Sequence, residues 1–450
     1  MNFNGFVKRS RMMTDCLRRA PVLYTKARTQ LEAMSQAALP ERRAFTETRL
    51  RTVLASAGRT AYGRRHAGSP IASWPLLDKQ DLRGHEQDLL SQWQWPRMKN
   101  RTSGTTGTPL TVYRSLSSIA TEQACIDLTI ARRGLDAREM RMAVLRGDAI
   151  KPPDDRTPPY WTECEGGRVL ILSSAHLTAE TLGHYISKLK SFAPDCLFAY
   201  PSSLTALCAL LDHAGQRLSV PLALTSSEVL DPATVSLARS MLGCRFADFY
   251  GQAERVAYAE SFDDGSYRFV PGYALVELHF NRNEDDEALY DIVGTSLWNT
   301  LMPLVRFRTG DLISVPKQTT EPELEAIAYG MRPFTRIYGR DDGIYIHGPG
   351  GSRIYGVPKI LNGIKHVYQS QIIQPTMDQV VINVVPAKGF CDEDRAAIIA
   401  NARTKIPHAI DVTVATCQRL ETTKAGKTPF VIRRMTLGRS SMADSTPVPA

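Results

Sequence analysis

The sequence predicts an α/β fold: a large N-terminal domain with mostly parallel strands covered by helices and a small β portion, followed by a small α+β domain. Between residues 169 and 242, short apolar runs alternate with longer amphipathic runs, which is typical of parallel strands joined by helices. From about residue 265 the pattern becomes strand-rich with hairpin turns. Past Arg340, a separate set of strand and helix patterns indicates the small domain.

The composition is that of a folded protein long enough for two or three domains. Of the 450 residues, 43% are hydrophobic and 22% charged, which argues against disorder. The net charge of +9 suits an anionic substrate, a nucleic acid or an acidic membrane surface and does not choose among them. The eight cysteines form no C-x-x-C pair, so we expect neither a disulfide framework nor a standard zinc site, and a cytoplasmic location. No apolar run reaches membrane-spanning length, so we expect no integral membrane contact.

The first 90 residues read mostly as helices, with residues 41–57 rich in helix formers. Residues 117–133 have helical spacing, and residues 142–146 read as a buried strand. The four prolines within residues 151–159 predict an excursion on the surface.

The alternating region predicts strands at 169–172, 197–200 and 222–225 and helices at 178–191, 203–214 and 231–242. Polar residues follow the strands, at 173–176, 200–203, 226–228 and 250–254. Because ligands bind at the carboxyl ends of parallel strands, these positions predict one site.

The later chain is assigned in the same way. Strands are predicted at 269–270, 274–280 and 289–297, and strands 380–385 and 412–416 flank a helix at 392–403. We therefore predict a large domain at 1–341, a small domain at 342–436 and a disordered tail at 437–450.

A run of small hydroxyl residues and glycines between Lys99 and Pro109 has the composition of a phosphate-binding loop. Glycines let consecutive N–H groups converge on an anion, and hydroxyl groups add donors. A flexible polar linker has the same composition, so the run alone leaves both interpretations open. The candidate phosphate ligands are Thr102, Ser103, Gly104, Thr105, Thr106 and Gly107.

Further motifs follow this run in a fixed order. They are Tyr-Gly-Gln-Ala-Glu at 250–254, Arg-Phe-Arg-Thr-Gly-Asp at 306–311, Gly-Arg-Asp-Asp at 339–342, Gln-Ile-Ile-Gln at 371–374 and Gly-Lys at 426–427. Together with the hydroxyl-rich run, they resemble the motifs of the adenylate-forming superfamily, in its phenylacetate:CoA ligase-like branch with the CapK-type capsular polysaccharide proteins.

The resemblance implies an enzyme that uses ATP and Mg²⁺ to activate a small carboxylic acid as an acyl-adenylate, releasing pyrophosphate. A thiol of CoA or of carrier-protein pantetheine would then displace AMP. AMP transfer to a substrate hydroxyl and non-catalytic binding of a nucleotide or polyanion remain alternatives. A separate carrier protein and a homodimer are left open, and no nucleic-acid partner is expected.

The resemblance assigns the catalytic lysine to Lys427, which would stabilise charge developing between the carboxylate and the α-phosphate. The alternative is a solvated lysine. A Walker A motif would also end in Gly-Lys, but it needs a glycine where this chain has Glu421. His176 is a second catalytic candidate at the acid pocket, although a lone histidine is more often structural.

The remaining assignments are also implied by the resemblance. Glu254 would bind Mg²⁺, Asp311 the ribose hydroxyls, and Arg340 a phosphate or the ribose. A surface ion pair, a turn aspartate and a structural arginine are the respective alternatives. The adenine would lie between two segments whose candidate residues are Ser227, Glu228, Asp248, Phe249, Tyr250 and Gly251.

Two further expectations concern motion and zinc. Asp342 matches the position of the superfamily's hinge, which rotates the small domain between half-reactions. Relatives often carry Cys and His residues after the Tyr-Gly-x-x-Glu motif, whereas this chain has Glu260-Ser261-Phe262 and Tyr267-Arg268-Phe269 there. We therefore expect no zinc.

Overall fold

The structure is a computed structural model of the chain. It describes residues 16–91, 98–101, 110–148, 150–152, 154–340, 345–354, 357–361, 363–423 and 426–435, with only the backbone of Arg101, Arg340, Pro358 and Lys359.

Contacts divide the chain into two units. Unit 1 comprises Met1–Asp342 and Thr422–Thr428, and unit 2 comprises Gly343–Glu421 and Pro429–Ala450. We call residues 422–428 the lysine segment. The sequence assigns this segment to the small domain, whereas its contacts group it with unit 1, and the predicted domain boundaries themselves stay a prediction.

The helices of unit 1 are α1 (Pro21–Gln36), α2 (Leu39–Ala57), α3 (Lys79–Leu82), α4 (Leu116–Ala131), α5 (Leu182–Phe192), α6 (Pro201–His213), α7 (Pro232–Leu242) and α8 (Glu321–Ala328). Its first ten strands are β1 (Met98–Arg101), β2 (Thr111–Arg114), β3 (Met142–Leu145), β4 (Trp161–Cys164), β5 (Val169–Leu172), β6 (Cys196–Ala199), β7 (Leu222–Ser226), β8 (Arg245–Gly251), β9 (Tyr258–Ser261) and β10 (Tyr267–Phe269). No helix in the described part of the chain combines the length and apolarity needed to cross a bilayer.

Eight of these strands form one sheet in the order β10-β9-β8-β7-β6-β3-β5-β4. The five strands β5, β3, β6, β7 and β8 are mutually parallel, and β4, β9 and β10 are antiparallel additions at the two sides. The strand order reverses at β3, which lies between β5 and β6. In open α/β sheets the ligand crevice forms at such a reversal, outside the carboxyl ends of the strands.

Helices cover both faces of this sheet, as predicted. On one face α5, α6 and α7 pack over the strands, and α5 buries Leu182, Tyr185, Leu189 and Phe192 at helical spacing. On the other face α1 and α4 cover the same strands. The α/β fold class is therefore confirmed.

The small β portion of unit 1 is a four-stranded antiparallel sheet in chain order. It contains β11 (Ala274–Glu284), β12 (Glu287–Ser296), β13 (Phe307–Pro316) and β14 (Arg336–Arg340). The register of β13 with β14 sets Asp311 opposite Arg340. Two predicted nucleotide-binding positions are therefore neighbours across one strand pair.

Unit 2 has its own core. Its elements are β15 (Ile346–His347), β16 (Arg353–Ile354), β17 (Val367–Thr376), β18 (Gln379–Pro386), α9 (Asp392–Arg403), β19 (Asp411–Thr416) and β20 (Val431–Arg433). The main sheet has the order β19-β18-β17-β20, and α9 packs Ile398 and Ala402 against it. Strand β20 begins three residues after the lysine segment and runs parallel to β17.

Candidate active site

The carboxyl ends of the parallel strands bring polar side chains together through Arg146, which directly follows β3. Its guanidinium lies over the rings of Phe198, at 4.0 Å, and Tyr200, at 4.8 Å, both from β6 or its end. It also donates to Ser227 Oγ, at the end of β7, over 2.9 Å. One side chain therefore links three adjacent strand ends at the point where the strand order reverses. Burial lowers the pKa of Arg146. The nearby Tyr200 and Asp148 act in the opposite direction and favour the charged guanidinium.

Glu228 joins this edge to the lysine segment. Its Oε2 accepts from the N–H of Ser202, and its Oε1 accepts from the N–H of Thr428, both over 2.9 Å. Ser202 lies in the first turn of α6, where backbone N–H groups have no partner within the helix and favour an anion. Burial raises the pKa of Glu228, while these hydrogen bonds and Lys427 favour the carboxylate. Glu228 thus holds protein backbone at the position where the sequence predicts a nucleotide contact.

Lys427 lies at this edge, with its Nζ 5.9 Å from the centroid of the Tyr200 ring. The segment turns tightly: Thr423 N–H donates to the Lys427 carbonyl over 2.8 Å, and Gly426 N–H donates to the Thr423 carbonyl over 2.9 Å. Gly426 has φ 75°, and a Cβ there would lie 2.8 Å from the Cα of Gly147. Glycine is therefore required beside the lysine, because both the conformation and the space exclude a side chain.

A second group of predicted residues surrounds Tyr250, at the end of β8. The Tyr250 hydroxyl donates to Asp311 Oδ2 over 2.7 Å and accepts from Gln252 Nε2 over 3.2 Å. Burial and the adjacent Asp311 raise the pKa of Tyr250 well above its usual range, which keeps the hydroxyl a donor. Gln252 Oε1 is buried and has no hydrogen-bond partner among the described residues. This acceptor is available to a ligand donor beside the carboxylate of Asp311.

Glu254 is buried, with 3% of its surface exposed. The neighbouring carbonyl of Ala253 accepts from Arg114 Nε over 3.1 Å and from a terminal nitrogen of Arg114 over 2.6 Å. Arg114 ends β2, which pairs with β1 from Arg101 opposite Thr111. The predicted phosphate loop at 102–107 lies outside the described residues. Strands β1 and β2, which precede and follow it in the chain, pair with each other. Arg114 links them to the motif that contains Glu254.

Strained backbone marks three of the predicted segments independently of their side chains. Ser227 has φ 73°, Arg255, directly after Glu254, has φ 56°, and Arg306, which begins the motif at 306–311, has φ 50°. Such conformations are unfavourable for residues other than glycine and occur preferentially at functional sites.

Three predicted site residues are buried and have partners within the protein. Asp248 accepts from Thr225 Oγ1 over 2.6 Å and from the Tyr267 hydroxyl over 2.7 Å, and it is 4% exposed. Phe249 is buried and stacks on Tyr258 with a centroid separation of 5.3 Å. Because neighbouring strand residues face opposite sides, Phe249 points away from Tyr250. The structure therefore gives Asp248 and Phe249 packing partners within the protein, and we assign neither to nucleotide binding.

The third is His176, which is 5% exposed. Its Nε2 lies 3.2 Å from the Pro152 carbonyl, its Nδ1 lies 2.7 Å from Ser173 Oγ, and its ring stacks on Tyr160. A carbonyl can only accept, so Nε2 donates and the Nδ1 of a neutral ring accepts from the serine. Both nitrogens have protein partners, which fits the structural alternative, and we propose no catalytic role for His176.

Some predictions lie outside the described residues. Asp342 is among them, and only the backbone of Arg340 is described. Gly251 ends β8 beside Tyr250. Arg146 and Arg114 were not predicted, and Tyr200 was predicted only as part of the polar strand end at 200–203. Arg146 is the last residue of the predicted strand 142–146, and only this strand-end position could have indicated it.

The described residues contain no group of three or more His, Cys, Asp or Glu side chains arranged to hold a metal ion. At the positions where zinc ligands would occur, Glu260 pairs with Arg132, and Ser261 Oγ accepts from the Asp248 N–H over 2.8 Å. The expected absence of zinc stays a prediction.

Comparison with known proteins finds similar sequences and a similar fold. Residues 347–434 match the model of the CapK C-terminal domain. The CapK protein of Staphylococcus aureus is 22% identical over 358 residues, covering 76% of this chain and 75% of that protein. A phenylacetate-coenzyme A ligase of Aromatoleum evansii is 24% identical over 292 residues, covering 61% of this chain and 62% of the ligase, less than two thirds of its length.

A solved structure shares the fold. 2-Hydroxyisobutyryl-CoA ligase, in its postadenylation state in complex with R3-HIB-AMP, superposes with a TM-score of 0.60 at 14% identity, over 88% of this chain and 90% of that one. Sequence relatives, the C-terminal domain match and the shared fold agree with the motifs found in the sequence. By its C-terminal domain match, its sequence relatives and its fold, the chain resembles the CapK and phenylacetate–CoA ligase-like proteins.

Proposed function

We propose that this protein uses ATP to activate a small carboxylic acid and then transfers the acyl group to a thiol of CoA or of a carrier-protein pantetheine. The observation that carries the proposal is the placement of Lys427 beside Tyr200, with Glu228 holding the next residue. This puts a cation at the carboxyl edge of the parallel strands, where the fold binds ligands. The ligase names of the relatives support the same chemistry.

In the first half-reaction, a carboxylate oxygen of the acid forms a bond to the α-phosphorus of ATP. The bond from that phosphorus to the oxygen bridging to the β-phosphorus breaks, and pyrophosphate leaves with the electron pair. Lys427 stabilises the charge that develops between the carboxylate and the α-phosphate and transfers no proton.

The described residues fit the nucleotide. Asp311 offers acceptors for the ribose hydroxyls, and the buried Gln252 Oε1 can accept from a further hydroxyl or amino group. We assign Tyr250 as the neighbour of the adenine and the loop at 102–107 as the ligand of the β- and γ-phosphates.

Mg²⁺, when bound, would neutralise charge on the phosphates, and Glu254 is the residue we assign to hold it. The fit rests on the donor: a buried carboxylate is the ligand type that hard cations prefer.

In the second half-reaction, the sulfur of the thiol attacks the carbonyl carbon of the acyl-adenylate. The carbonyl–oxygen bond to AMP breaks, AMP leaves, and the thiol proton passes to solvent. The thiol needs a path to the carbonyl that Lys427 approaches in the first step, so we propose a rearrangement about Asp342.

A panel of carboxylic acids, scored by acid-dependent pyrophosphate release from Mg-ATP, tests this function. We expect release with at least one acid and thioester formation when CoA or a pantetheine-bearing carrier is added. ATP binding without release for every acid would favour the non-catalytic nucleotide-binding alternative.

A further inference from the structure

A buried glutamine bonds to the backbone at both ends of the lysine segment. Gln371, on β17, is fully buried. Its Nε2 donates to the Glu421 carbonyl over 3.0 Å and to the Pro429 carbonyl over 2.8 Å. Its Oε1 accepts from the Glu421 N–H over 3.0 Å. Glu421 and Pro429 are the residues directly before and after the lysine segment, so one side chain bonds to both of its ends.

These bonds satisfy backbone groups that have few alternatives. Proline has no N–H, so its carbonyl is the only backbone polar group at the second end. The side chain of Gln371 is itself fully buried, so its amide groups would be costly to leave without these backbone partners. Because one nitrogen bonds to both carbonyls, the two ends lie side by side, and the segment leaves and re-enters unit 2 at one place.

We infer that Gln371 is a positioning residue for Lys427, and this inference rests on the proposed function. Gln371 bonds to both ends of the segment, Gly426 bonds to Thr423, and Thr428 bonds to Glu228. The described residues on both sides of Lys427 are therefore held by hydrogen bonds. An error of about 1 Å in the placement of a reacting group can cost roughly 10²-fold in rate. Removing the hydrogen bonds of Gln371 should therefore slow acyl-adenylate formation, which is the step that uses Lys427.

The chain supplies a matched control on the same strand. Gln374 is also fully buried and also bonds to backbone at both of its amide atoms. Its Oε1 accepts from the His347 N–H and its Nε2 donates to the His347 carbonyl, both over 2.7 Å. A buried glutamine that serves only stability would behave like Gln374, which does not contact the ends of the lysine segment.

The test compares Gln371→Leu with Gln374→Leu in the full-length protein. Three quantities are measured on folded protein: single-turnover formation of acyl-adenylate, thioester formation from supplied acyl-adenylate, and hydrogen exchange of peptides covering residues 421–428. For Gln371→Leu we expect adenylation to slow by about 10-fold or more, thioester formation from supplied adenylate to persist, and exchange at 421–428 to rise. For Gln374→Leu we expect exchange to rise around His347 and adenylation to persist.

Gln371→Glu and Gln374→Glu provide a second pair in case the leucine variants do not fold. Gln371→Glu keeps the acceptor for the Glu421 N–H and loses both donated bonds, so adenylation should again slow selectively. Equal losses in the two half-reactions, or unchanged exchange at 421–428, would overturn the inference. If Lys427→Ala slows adenylation and Gln371→Leu does not, only the inference fails. If neither variant slows it, the proposed role of Lys427 fails as well.

Discussion

A few single residues connect separate parts of the candidate site. Arg146 links the ends of three strands through Tyr200 and Ser227. Asp311 accepts from Tyr250, and Glu228 accepts from backbone on both sides of the site. Charge and hydrogen-bonding capacity at this edge therefore rest on few side chains, and single substitutions can separate their roles.

Replacing Lys427 by alanine should slow acyl-adenylate formation by roughly 10²-fold or more, because the cation that stabilises the developing charge is lost. The affinity for ATP should change little. Pre-steady-state adenylate formation and nucleotide binding, measured together, check this. Lys388→Ala, at an exposed lysine of unit 2, serves as the control and should leave both unchanged. An unaltered adenylation rate for Lys427→Ala would favour the alternative that Lys427 is a solvated lysine with no catalytic role.

Glu254→Gln should shift activity to higher Mg²⁺ concentrations, since the amide keeps the shape of the side chain but lacks the charge that a hard cation prefers. A Mg²⁺ titration of pyrophosphate release compares the variant with the unmodified protein. Elemental analysis of protein purified without added metal should find no stoichiometric zinc. Identical Mg²⁺ curves would remove Glu254 from the metal site, and stoichiometric zinc would contradict the expectation drawn from residues 260–269.

At the scale of the elements, the lysine segment depends on a glycine. Gly426→Ala should disrupt the turn, because an alanine there is strained at φ 75° and its Cβ would approach Gly147 Cα to 2.8 Å. Adenylation should fall by an amount comparable to that of Lys427→Ala while the thermal transition of the protein moves little. Gly363→Ala is the matched control: φ is 79° there and a Cβ would have no atom within 4 Å. Equal effects of the two substitutions would mean that backbone strain alone is responsible.

The elements show where local sequence suffices. The predicted strand at 169–172 and helix at 392–403 coincide with β5 and α9, because each is a strong local pattern. The helix predicted from residue 178 begins at Leu182 instead. Thr181 Oγ1 donates to the His176 carbonyl over 2.6 Å and accepts from the Thr178 N–H over 3.0 Å, so hydroxyl bonds to the backbone replace the first helical turn.

Candidate site residues could be named from the sequence where they stand in a motif. Contacts between residues that are distant along the chain could not. Tyr250, Asp311, Glu254 and Lys427 stand in motifs and could be named in advance. The contacts of Gln371 join residues 50 and 58 positions away along the chain, which no local pattern can indicate. Asp248 resembles the other predicted site residues in its strand-end position, whereas its hydrogen-bond partners, Thr225 and Tyr267, come from β7 and β10, which no local pattern indicates.

At the scale of the whole molecule, the chain passes between the two units three times: after Asp342, after Glu421 and after Thr428. The last two passages are the ends that Gln371 holds. Asp342 lies outside the described residues, and its role as a hinge is a proposal drawn from the motif at 339–342. A hinge must absorb a large change in φ and ψ at few residues.

Asp342→Pro should therefore affect the two half-reactions unequally. Proline fixes φ near about −65° and restricts the preceding residue as well. We expect adenylation to persist, provided the fixed geometry is near the adenylating one, and thioester formation from supplied acyl-adenylate to be largely lost. Both half-reactions are measured separately on folded protein. Parallel losses, or no loss in either, would contradict the hinge.

In the proposed first half-reaction, a carboxylate oxygen of the acid attacks the α-phosphorus of ATP. An acid that supports pyrophosphate release, labelled with ¹⁸O in its carboxylate, tests this step when ATP, Mg²⁺ and an acceptor thiol are supplied and the released AMP is analysed by mass spectrometry. We expect one ¹⁸O atom in the phosphate of AMP for each thioester formed. AMP without label, or AMP joined to a substrate hydroxyl, would contradict it.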